Sequence, residues 1–168
     1  TTNTAVAGTI TIDSVISTSG GGTITIQGSS TGATVGNIVF GAGGGAVTAG
    51  GGAILIDTNN GSVTLGGTIT ASSTLTVNAT TGITDIAGTA INVTGTSILS
   101  SPGSDITLGD NAADVTNFVG LNVTGANVTI TEDSAPRFVG VNTVTGNLFM
   151  PSAGAISNLR GCRPDRDG

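Results

Sequence analysis

The chain has 168 residues, 29 of them glycine, with no lysine, histidine, tyrosine or tryptophan and a net charge of −6. All four arginines lie at Arg137 or later, so residues 1–136 carry eight acids and no base, which argues against a nucleic-acid-binding footprint. No apolar run approaches the roughly 18 residues that a membrane-spanning helix needs.

In chain order, TITI at 9–12 and TITI at 23–26 alternate apolar and polar residues, as half-buried strands do. A glycine-rich stretch at 41–52 follows, where the register is expected to loosen around a narrowed or bulged coil. Alternation resumes in TLTV at 74–77, DITL at 105–108 and NVTI at 127–130. Turn residues interrupt these runs at Gly20–Gly22, Asn59–Gly61, Gly66–Gly67, Thr81–Gly82, Pro102–Gly103 and Gly125. Threonine, valine and isoleucine favour pleated surfaces, and helix-forming Glu, Lys, Gln and Arg are scarce, so the expected class is all-β. With few aromatic residues the core is thin, which suits an elongated object.

A repeat of 22 residues organises the strands. Cut from Ala53, it aligns Leu55, Val77, Leu99 and Leu121 in one apolar column. A second column reads Val47, Ile69, Ile91, Ala113 and Ala135, and a third Leu65, Ile86, Leu108 and Ile130. Several short strands per repeat, joined by tight turns, are what one coil of a parallel β-helix requires. Stacked at the strand spacing of about 4.8 Å, roughly seven such coils would build a rod of roughly 35 Å. An antiparallel β-sandwich is the structural alternative; it predicts hairpins at irregular spacing. Residues 1–150 are assigned to the solenoid, and residues 151–168, where Arg160, Cys162, Arg163 and Arg166 appear, to an irregular tail or truncated end. Cys162 is the single cysteine, so no internal disulfide can form. No signal peptide is visible and the first residue is Thr1, so a mature or excised segment is expected.

Catalysis is not expected, because acid–base and nucleophilic chemistry most often draw on His, Lys or Tyr, all missing. Calcium is the best ligand candidate. Asp57 and Asn59 offer oxygens on one turn and Asp110 and Asp114 on another, though neither spacing fits an EF-hand loop. Glu132 and Asp133 form a further acidic pair. Turn-making Asp and Asn side chains explain the same residues without a metal. Thr-x-Thr pairs at Thr9/Thr11, Thr23/Thr25, Thr68/Thr70, Thr74/Thr76 and Thr129/Thr131 resemble the arrays of ice-binding solenoids, but their spacing does not follow the repeat.

The stretch LGDNAADVTNFVGLNVTGANVTITEDSA at 108–135 resembles the repeats of filamentous-haemagglutinin-type adhesins and related autotransported surface proteins of Gram-negative bacteria. Asn111, Ala112, Phe118, Gly125, Asn127, Val128, Thr129, Ile130 and Asp133 carry the likeness. GTITI and GTAINVTG phrases extend it over most of residues 8–135. The resemblance implies a right-handed parallel β-helix, an extracellular or outer-surface location, and service as an adhesive shaft. No recognisable secretion module is seen, so a central shaft segment is expected, and no receptor-contacting residue can be carried over. Two further expectations are self-association, end to end through exposed terminal strands or laterally, and a dedicated ice- or calcium-dependent binding module.

Overall fold

The computed structural model describes residues 8–28, 36–41 and 45–158, all strand, turn and bend, with no helix among them. Cys162 and the arginines at 160, 163 and 166 lie outside the described residues.

Each coil visits three faces, and every strand pairing is parallel. The first face is a seven-stranded sheet: β1 (Ile10–Ile12), β4 (Ile38–Phe40), β7 (Val63–Leu65), β10 (Ile83–Asp85), β12 (Ile106–Leu108), β14 (Val128–Ile130) and β17 (Leu148–Phe149). The second holds β2 (Ile16–Thr18), β5 (Val47–Ala49), β8 (Thr68–Ala71) and the first halves of β11 (Ala90–Ser100) and β13 (Val115–Gly125). The third holds β3 (Ile24–Gln27), β6 (Ile54–Asp57), β9 (Leu75–Asn78) and the second halves of β11 and β13. Above these lie β15 (Arg137–Phe138), β16 (Thr143–Val144) and β18 (Ser157–Asn158). A register shift between Val93 and Thr96 bends β11 from the second face to the third. The protein is therefore a β-solenoid.

Alternation decides which residues face inward. In β7, β12 and β14 the outer two residues are buried and the central threonine is not, so Ile, Val and Leu meet their equivalents in adjacent coils. Ile54, Leu75, Val63, Ile83, Ile106 and Val128 are completely buried in this way. At roughly 25 cal/mol per Å² of apolar surface removed from water, these columns supply the main favourable term. One coil alone could not bury them.

The columns differ from those that a fixed period predicts. Val77 and Leu99 do stack, but Ile56 stands beside Val77, while Leu55 faces outward beside Thr76. Beyond Leu99 the column continues with Val123, and Leu121 joins the column of Ile54, Leu75 and Ser97. Val47, Ile69 and Ile91 hold as expected, but Thr116 follows them instead of Ala113, and Ala135 is exposed. Asp85, not Ile86, is the register partner of Leu65. The cause is variable coil length. Ile10 pairs with Ile38, 28 residues on, Ile54 with Leu75 after 21, Ala90 with Val115 after 25, and Val128 with Leu148 after 20. A change of one residue turns a side chain to the other face, whereas a change of two moves it along the strand.

Residues 42–44 of the glycine-rich stretch lie outside the described residues; on either side of them crowding explains the glycines. A Cβ on Gly45 would collide with the Ile12 carbonyl, and one on Gly52 with that of Gly22. At the other end the ladder runs past the expected boundary at Met150, through the Glu132–Ser152 bridge to the pairing of β15 with β18.

Candidate functional site

Where the first face turns into the second, three carboxylates from two adjacent coils converge. Asp85 ends β10, and Asp110 and Asp114 lie on the loop between β12 and β13. One carboxylate oxygen of each lies within 4.8 Å of the others. The loop winds as it does because Asp114 organises it. Its Oδ1 accepts from the Gly88 and Thr89 N–H groups at 2.7 and 3.1 Å, and its Oδ2 from Asn111 N–H at 2.9 Å. Asn111 Oδ1 then accepts from Ala113 N–H at 3.1 Å.

Asp85 occupies an inward position whose register partner in the coil below is Leu65. Its Oδ2 accepts from Gly109 N–H at 2.9 Å, and its Oδ1 is buried with no hydrogen-bond partner. Burial pushes its carboxyl up to about 6; the charges of Asp114 and Asp110 add to the rise and the Gly109 N–H opposes it. Arg137, the only base among the described residues, is exposed on β15 in a later coil. Carboxylate oxygens close together suit a hard divalent cation such as calcium, which takes six to eight oxygen ligands. Three side chains would leave the remaining positions to water and backbone carbonyls.

The four residues expected to bind calcium therefore separate. Asp110 and Asp114 come together; Asp57 lies on the third face in register with Gln27 and Asn78, and Asn59 is exposed on the following turn. Burial alone raises the Asp57 carboxyl. Asp85 went unrecognised in the sequence. Its signal is the triplet Ile83-Thr84-Asp85 where other coils have Val63-Thr64-Leu65 and Ile106-Thr107-Leu108, an acid at an inward position.

The pair Glu132 and Asp133 serves the backbone. Glu132 is buried, accepting from Phe118 N–H through Oε1 and from the Ser134 N–H and hydroxyl through Oε2 at 3.0 and 2.7 Å. Asp133 Oδ2 accepts from Thr116 N–H at 2.8 Å. Two side chains thus satisfy the edge of the second face where, among the described residues, no further strand continues it. Desolvation raises the Glu132 carboxyl, with the Asp133 charge adding and the Ser134 and Phe118 hydrogen bonds opposing.

The Thr-x-Thr pairs are spread over all three faces and build no paired array. A single outward column on the first face contains Thr64, Thr84, Thr107 and Thr129 in register, with the Thr84 and Thr64 hydroxyls 3.4 Å apart.

Residues 50–122 match a family described as "Repeats of unknown function (DUF5649)". No curated protein and no solved structure matches the sequence. No helix is long and apolar enough to cross a membrane, among the described residues.

Proposed function

We propose that this protein is a non-catalytic structural and adhesive shaft segment of a secreted or cell-surface bacterial protein. The observation that carries the reading is the unbroken parallel ladder from β1 to β17, whose interior is almost entirely apolar and whose outward column is mostly threonine. Such a ladder gives length and stiffness without a large globular core. It also presents uncharged hydroxyl groups at a regular step of about 4.8 Å, suited to many weak contacts. The likeness of residues 108–135 to adhesin repeats supports the surface location. Antibodies raised against the protein test this on intact cells of the organism that produces it. Labelling that external protease removes is expected; labelling only after lysis would refute the surface role.

A second reading, calcium-dependent adhesion, is favoured by one specific observation. Asp85 places a buried, unpartnered oxygen beside two further carboxylates, an arrangement unfavourable at neutral pH unless a cation or a proton offsets the charge. Calcium titration of the purified protein, followed by thermal unfolding, tests it. No shift at millimolar calcium would rule it out.

A further inference from the structure

Asn60 and Gly61 are the only Asn-Gly pair in the sequence. In an unfolded polypeptide this pair is prone to deamidation, because the small glycine lets its backbone nitrogen reach the preceding side chain. Packing dictates the glycine here: Gly61 is buried, and a Cβ would lie 2.7 Å from the Gly36 carbonyl oxygen of the coil below. The glycine of the susceptible pair is thus imposed by the stacking of coils.

The same stacking holds the peptide on both sides. Gly36 N–H donates to the Asn60 carbonyl at 2.7 Å from below. From above, Thr80 and Thr81 N–H donate to the Gly61 carbonyl at 2.9 and 3.1 Å, and within the same coil the Thr58 hydroxyl donates to it at 2.8 Å. The nitrogen that would react, Gly61 N–H, donates to the Thr80 hydroxyl oxygen at 2.8 Å.

We propose that Asn60–Gly61 is a latent modification site, latched by the Thr80 hydroxyl, at which deamidation opens the coil irreversibly. In the reaction the Gly61 nitrogen gives up its proton to a base and attacks Asn60 Cγ. The new N–C bond forms as the bond from Cγ to the amide nitrogen Nδ2 breaks, and the proton taken up by the base is returned to Nδ2 so that ammonia leaves. Water then opens the cyclic imide to aspartate or isoaspartate, with no change of oxidation state. Either product adds a negative charge to a region without bases, and isoaspartate also lengthens the backbone by one carbon. That extra carbon falls between the contacts to Gly36 and Thr80, so the coils cannot re-stack in the same register.

The experiment is incubation of the full 168-residue protein in mildly alkaline buffer, with Asn60 conversion followed by peptide mass spectrometry. The folded protein is expected to convert at least about fivefold more slowly than the same protein in urea, the factor that one ordinary hydrogen bond represents. Thr80→Val should remove most of that protection and Thr80→Ser should restore it. Equal rates in buffer and urea, or a Thr80→Val rate matching the unsubstituted protein, would overturn the proposal. The comparison with urea uses no substitution, so equal rates there overturn the proposal even where Thr80→Val fails to fold.

Discussion

Asp85 sits in register directly above Leu65, a carboxylate at an inward position where the neighbouring coil carries an apolar side chain. Its Oδ1 is buried without a partner, and its neighbours Asp110 and Asp114 are also acidic. Replacing it with leucine continues the apolar column and removes one member of a like-charged group. In calcium-free buffer Asp85→Leu should raise stability by about 1 kcal/mol, because loss of the acceptor for Gly109 N–H offsets part of the gain. Urea midpoints of the two proteins measure this; a clear fall for the variant would show that the carboxylate stabilises the fold.

The pH dependence follows from the same residue. Its folded value of about 6 lies above the ordinary 3.8, so the folded state binds a proton more readily than the unfolded one. The stabilisation is fully present below about pH 3.8 and is lost as pH rises through about 6. The melting temperature without divalent cations should therefore fall between those limits, and Asp85→Asn should flatten that fall. A melting temperature that rises across the window would contradict the assignment.

Asp110 is exposed and separates cation binding from structure, since the amide-capping role on this loop belongs to Asp114. Under the calcium reading, millimolar calcium should raise the melting temperature of the unsubstituted protein, and Asp110→Ala should lose that response while changing metal-free stability by less than about 0.5 kcal/mol. Calorimetric titration of both proteins decides it.

Glu132 replaces the absent strand beside Phe118. Glu132→Ala leaves the Phe118 N–H and the Ser134 donors without their acceptor and should cost about 2–4 kcal/mol. Amide exchange at Phe118 should accelerate far more than at Ile69, deep within the second face. Uniform acceleration at both positions would mean that the carboxylate has no local capping role.

Core truncations report directly on the columns. Leu99→Ala removes a fully buried side chain stacked between Val77 and Val123 and should cost about 2–5 kcal/mol. Leu55→Ala, on an outward, half-buried side chain, should cost less than about 1 kcal/mol. Equal losses would restore the fixed 22-residue column. Chemical denaturation resolves a difference of that size.

The class and the manner of stacking were legible in the sequence because both are local. Period-two alternation in runs such as Asn127–Ile130, with turn residues between them, can bury its apolar face only by placing one short strand upon the next. Val47, Ile69 and Ile91 were found in the sequence because the coils between them keep the same length. Only the tertiary structure decided which residues meet wherever coil length varies. The loop at 109–114 lengthens one coil and moves Leu121 into a different column, and a coil one residue short turns Leu55 outward. For the same reason Asp85 could not be connected in sequence with Asp110 and Asp114, some 25 residues away. Their meeting depends on how one coil comes to rest on another, a sum of turn lengths that no local pattern encodes.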